Sequence, residues 1–144
     1  MRKIISLCFL VATLVLLCSC SVSTKKDDLE YSFEPNVSIV EGTLITRMYY
    51  GQPGYGEDPE NDAKEYPYIL QLDKPINVKA QEGDIMNSDT FDVKEIQVVP
   101  LGEEDLKSIK KYLDKRIKIE GTLFSALTGH HHTEVLIEVK SILD

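Results

Sequence analysis

VPLGEEDLKSIKKYLDKRIKIEGTLF, residues 99–124, is the stretch that decides the fold. In its first half Leu106, Ile109 and Leu113 recur at i, i+3 and i+7, the apolar stripe of an amphipathic helix. Glu103, Glu104 and Asp105 stand at the start of that stripe, Lys115 and Arg116 at its end, as the helix dipole favours. The spacing predicts a helix over 103–115. From Arg116 the period falls to two. Ile117, Ile119, Gly121 and Leu123 take one side, Lys118, Glu120 and Thr122 the other, so 116–124 is predicted as a strand.

Working outward, Val37 to Tyr50 is rich in β-branched and aromatic residues and predicts a first strand. Val37 and Ile39 share one parity, Leu44 and Met48 the other, so a bulge or bend is expected near Gly42. Residues 51–65 form a long loop. Tyr66 to Val78 is a second strand, with Pro75 marking an edge or a bend. Residues 79–90 are a polar connector, and Val93 to Val99 is a third strand. After the strand at 116–124, residues 125–132 make a short loop. The last strand alternates Val135, Ile137 and Val139 with Glu134, Glu138 and Lys140. The expected class is mainly β, a five-stranded OB-like β-barrel with one α-helix between strands 3 and 4. In such a barrel the strand 1–2 loop and the strand 4–5 loop flank one binding face.

The chain has 144 residues, with 16 Lys+Arg against 24 Asp+Glu and a net charge of −8. An apolar fraction of 42% suits a packed core and excludes a disordered chain. The acidic balance argues against nucleic acid as a partner, whose phosphates need a basic surface. All three cysteines, Cys8, Cys18 and Cys20, lie in the first twenty residues, so no disulfide framework is expected in the domain.

Those twenty residues read as an export signal. Met1-Arg2-Lys3 is a positive start, and Ile4 to Leu17 is an apolar run too short to span a bilayer comfortably. Leu17-Cys18-Ser19-Cys20 resembles a bacterial lipobox, whose last Cys becomes the lipidated N-terminus. The expected organisation is a lipoprotein signal peptide over 1–19, the lipidated Cys20 and a flexible tether over 20–35, and the domain over 36–144. The membrane is then a partner through the N-terminal lipid. Ser21 rather than Asp follows the Cys, so the outer membrane or cell surface is the expected address. Removing 1–19 takes Arg2 and Lys3 and no acid, leaving 14 bases against 24 acids, a charge of −10.

Two loops carry the unusual residues. Five of the seven tyrosines, Tyr49, Tyr50, Tyr55, Tyr66 and Tyr68, lie in and beside the first, among Gly51, Gly54 and Gly56. Such rings combine an apolar face with a hydroxyl, which suits glycan or peptide surfaces. The glycines supply turns and form no phosphate loop, since no Gly-Lys-Ser/Thr follows. The second loop holds all three histidines, His130, His131 and His132, followed by Thr133. In extended backbone His130 and His132 share a side. A divalent metal is possible there, with a carboxylate from Glu57, Asp58 or Asp62 completing a ligand set. No other cofactor is expected. The basic residues Lys107, Lys110, Lys111, Lys115, Arg116 and Lys118 read as a solvated face, with contact to anionic lipid or an acidic partner as the second possibility. No nucleophile elbow, Cys–His pair or paired-carboxylate spacing points to catalysis.

Three segments carry a resemblance: Val40-Glu41-Gly42-Thr43-Leu44, Tyr50-Gly51-Gln52-Pro53-Gly54-Tyr55 and Gly121-Thr122-Leu123-Phe124 running on through Thr128-Gly129-His130-His131-His132-Thr133. With Tyr68 to Pro75 and Ile96 to Val99 between them, residues 37–142 resemble the bacterial domain-of-unknown-function family numbered 4431. The resemblance implies an exported or envelope-associated protein and supplies no activity. The expected function is a lipid-anchored envelope module that binds a protein, peptide or glycan through Tyr49, Gly51, Gly54, Tyr55, His130, His131, His132 and Thr133. The alternatives are a metal-binding protein using His130 and His132, and a purely structural lipoprotein.

Overall fold

The computed structural model describes residues 29–143. The signal peptide, Cys20 and the first part of the tether lie outside the described residues. The elements are β1 (Leu29–Ser32), β2 (Val37–Thr46), β3 (Tyr49–Tyr50), β4 (Lys64–Glu65), β5 (Tyr68–Lys79), β6 (Thr90–Val99), α1 (Glu103–Lys110), β7 (Arg116–Ser125) and β8 (Val135–Leu143). The domain is mainly β with one short helix, and that helix sits between the third and fourth of five long strands.

Period-two alternation places the core. Val40 and Leu44 of β2, Leu70, Ile76 and Val78 of β5, Ile119 and Leu123 of β7, and Ile137 and Val139 of β8 point to one buried cluster. β2 pairs antiparallel with β5 and with β7, β5 with β6, and β7 with β8. β6 and β8 pair in parallel. The ladder therefore returns to its starting strand in the order β2–β5–β6–β8–β7–β2. A second set of buried residues lies on the opposite face: Ile69, Gln97 and Leu136 stand in register across β5, β6 and β8.

Four expectations change. The tether is shorter than composition suggests, because Leu29–Ser32 pairs in parallel with β5 and Phe33 is fully buried. The N–H groups of Phe33 and Glu34 donate to Lys79 and Leu123, tying this entry segment to two strands. β2 shows no change of phase at Gly42: Ser38, Val40, Gly42 and Leu44 all face inward, and Val37 and Ile39 lie outside. Gly42 instead answers a close approach, since a Cβ there would run into the Gln71 backbone of β5. The first strand ends at Thr46, and Tyr49–Tyr50 forms a separate two-residue ladder with Lys64–Glu65. The helix stops at Lys110. Bonds from Lys111 to Ser108 and Tyr112 to Ile109 tighten its end. Asp114 then turns with φ +59° and donates to the Leu44 carbonyl, which starts the next ladder. Pro75 falls in the interval where β5 shifts register against β6, between Gln71 and Ile76.

Candidate functional site: two loops clasped by Glu65

The short β3–β4 ladder sets Tyr49 opposite Glu65 at the root of the first loop. Above it the loop is held from within. Asp62 is buried and accepts from the N–H groups of Gly54 at 2.6 Å, Gly56 at 2.7 Å and Asp58 at 3.2 Å. Burial pushes the Asp62 carboxyl up, but three N–H donors outweigh it and hold it below the usual range. Gly51 donates to Ala63 at 2.7 Å, and Tyr55 donates back to Gly51 at 2.9 Å. Tyr55 sits at φ +51°, a conformation that bulky residues rarely take.

The histidine loop is fixed by Gln97, whose side chain points out of β6. Its Nε2 donates to the His130 carbonyl at 3.0 Å, and its Oε1 accepts from the His132 N–H at 2.7 Å. The Gln97 N–H donates to Thr133 Oγ1 at 2.8 Å, and Thr133 Oγ1 donates on to the Val135 carbonyl. His131 turns the other way. Its Nδ1 accepts from the Leu127 N–H at 2.8 Å, and its ring stands edge-on to Phe124. Burial first, then the neighbouring imidazoles, lower its pKa. Its neutral form is the one that can accept from Leu127.

The loops meet at Glu65. His130 Nδ1 lies 2.7 Å from Oε1 and His132 Nε2 lies 2.7 Å from Oε2. The His132 bond is the chief cause that holds the Glu65 carboxyl below its ordinary range, against its partial burial. An ionised carboxylate only accepts, so the proton sits on Nδ1 of His130 and on Nε2 of His132. Tyr49 stacks on His132 with centroids 4.3 Å apart and planes 13° apart. A second contact joins the tips: a Cβ at Gly129 would lie 2.7 Å from Cζ of Tyr55, so only glycine lets that ring lie there. The His132 side chain is 8% exposed, whereas that of His130 is 63% exposed and Tyr55 is 47% exposed. A cleft of about 400 Å³ runs alongside, lined by Asp92, Glu95, His132 and Thr133. Glu95 is gripped by Arg47 at 2.6 and 2.7 Å, and Arg47 also donates to the Tyr49 hydroxyl.

Thus Tyr49, Gly51, Gly54, Tyr55 and the three histidines with Thr133 fall in one connected region. They divide by role there. Gly51, Gly54 and Thr133 shape backbone, His131 holds its own loop, and Tyr55 and His130 reach solvent. The carboxylate that meets the imidazoles is Glu65, not Glu57, Asp58 or Asp62. Among the described residues no three of His, Cys, Asp and Glu stand so as to share one metal ion. The bond lengths at Glu65 are those of hydrogen bonds. Gln97 and Arg47 carried no sequence signal, since the loop groups that Gln97 holds and the Glu95 carboxylate that Arg47 grips lie 33 to 48 residues away.

Fold and site together define a small mainly β domain with two loops locked side by side at one end. Within it, residues 95–143 match the model of a domain of unknown function, DUF4431, a stretch that runs from the second half of β6 through α1, β7 and the histidine loop to the end of β8. The match begins two residues before Gln97 and omits Glu65 and the first loop. No curated protein matches the chain.

Proposed function

We propose that the chain is a lipid-anchored cell-envelope binding module with an OB-like barrel, which takes a protein, peptide or glycan across its two clasped loops. The closed order of strand pairings and the position of α1 support the barrel. The observation that carries the binding role is the Glu65 clasp. It brings Tyr49 and Tyr55 together with His130, 75 to 81 residues further along the chain, onto one end of the domain. Rigid aromatic and imidazole groups lose little conformational freedom on binding, and their faces with polar edges suit sugar rings and extended peptides. The hydrogen bonds that Gln97 makes and those that the Asp62 carboxylate accepts hold both loops ready before a ligand arrives.

The test is a titration of residues 21–144, labelled with ¹⁵N, with soluble peptidoglycan fragments and with envelope extract. The expected shifts centre on 49–56 and 128–133, and Tyr55→Ala weakens them. Shifts confined to another face overturn the site. Calorimetry with Zn²⁺, Cu²⁺ and Ni²⁺ on the same protein and on a His130→Ala/His132→Ala variant separates a metal site from this one.

A further inference from the structure

β2 changes partner half way along. Gly42–Thr46 pair with β5, whereas Val37–Glu41 pair with β7 alone. Beyond Leu72, β5 leaves β2 and takes β1 on the same side, at Ile76–Lys79. Among the described residues β1 and β2 do not pair with each other. Two strand edges therefore face a gap. The gap is a cleft of about 590 Å³ whose lining includes the core residues Val40 and Ile76, with Tyr31 and Ile39 on its walls.

In an antiparallel ladder every second residue turns both backbone groups away from its partner. Over Val37–Glu41 those groups have no strand beside them, and Ile39, Val40 and Glu41 line the cleft itself; the open strand edge is roughly 17 Å long at about 3.4 Å per residue. Such an edge is a template for another strand. The charge around it is distinctive in a chain of net −8. Arg116 crosses the mouth to Asp73 at 2.7 Å and Glu41 at 2.8 Å, so both acids are already engaged. Lys74 and Lys118 line the same cleft, and no carboxylate among the described residues lies within ion-pair distance of either. Lys115 lines the cleft that adjoins it.

We propose that this cleft takes an extended acidic segment of a partner protein, added as a strand beside Val37–Glu41. Backbone hydrogen bonds supply the register. Alternate apolar side chains meet Tyr31, Ile39 and Ile76, and a carboxylate meets Lys74 and Lys118. A second copy of the chain fits less well. Its own β2 edge offers one acid, Glu41, already bound to Arg116, and like net charges oppose the pairing.

The test pans random nine-residue peptides against the full chain, purified as expressed and held in nanodiscs of uncharged lipid. The expected binders alternate apolar residues and carry at least one acid. Hydrogen exchange with such a peptide bound slows over 37–41. A Lys74→Glu/Lys118→Glu variant, altered only at exposed positions, weakens binding tenfold or more with an unchanged unfolding midpoint, and a lysine-for-acid peptide restores it. The proposal is overturned if no peptide is enriched, if protection falls on 128–133, if the charge-reversed variant binds equally well, or if the edge is filled by a second copy that peptide does not displace.

Discussion

Glu65 does at the scale of one side chain what the two loops need as a pair. Each of its oxygens takes a different imidazole, so the first loop cannot lift away without breaking two bonds at 2.7 Å. Gly129 completes the contact by leaving room for the Tyr55 ring. Gly129→Ala should push Tyr55 aside and raise the mobility of both loop tips while leaving the unfolding midpoint nearly unchanged. Backbone relaxation of 53–57 and 128–131 measures this, and unaltered order at both tips would refute the contact. Acid should act in two steps. The lowered pKa of His131 means that its contribution is full above about pH 6.5 and fades as pH falls through its lowered value. The lowered pKa values of Glu65 and Asp62 mean that theirs is full above about pH 4 and fades below it. The Leu127 amide should therefore exchange faster before the amides of Gly54 and Gly56 do as pH is lowered. The reverse order would contradict the assignment.

Among the elements, β1 shows how burial outside the expected domain sets its true start. Leu29, Tyr31 and Phe33 alternate with Glu30, Ser32 and Glu34, a period-two signal in a segment otherwise polar. Phe33→Ala removes a fully buried ring and should cost about 3–5 kcal/mol, read by chemical denaturation. A loss near zero would show that the segment is not part of the core. The alternation of β7 was fully legible, because one face is core and the other is not, whereas β8 starts with Val135, Leu136 and Ile137 all buried, so its alternation holds only in part. The helix was legible in kind but not in length. Only Ile109 of its stripe is fully buried, and the chain must turn at Asp114 to reach β7. The phase change at Gly42 was misleading: Val37 and Ile39 are apolar and yet lie outside, Ile39 on the wall of the β1–β2 cleft. β3 and β4 are two residues each, too short for any period to register.

For the molecule as a whole, the loops were legible as unusual and as candidates for neighbours, because the strand order put them at one end. Their joint was not. Glu65 is one of five acids in its loop, and its partners are 65 and 67 residues away. Nothing local distinguishes it until the Tyr49–Glu65 register is known. Attachment belongs to this scale as well. Eight residues lie between Cys20 and Leu29, a reach of about 30 Å when extended, which would hold the domain close to the bilayer if Cys20 carries lipid. If Cys20 carries lipid, the purified chain should show acyl mass on its N-terminal peptide, and Cys20→Ser should abolish it and release the domain to the soluble fraction. Identical masses and fractionation for both proteins would remove the anchor.

The joining of the two loops through one carboxylate is tested most directly by long-range ¹H–¹⁵N spectra of the imidazole rings near pH 7.5. The predicted pattern is a proton on Nδ1 of His130 and on Nε2 of His132, with the His130 pattern reverting to that of a free imidazole in Glu65→Ala. A His130 ring protonated on Nε2 and indifferent to Glu65→Ala would contradict the clasp.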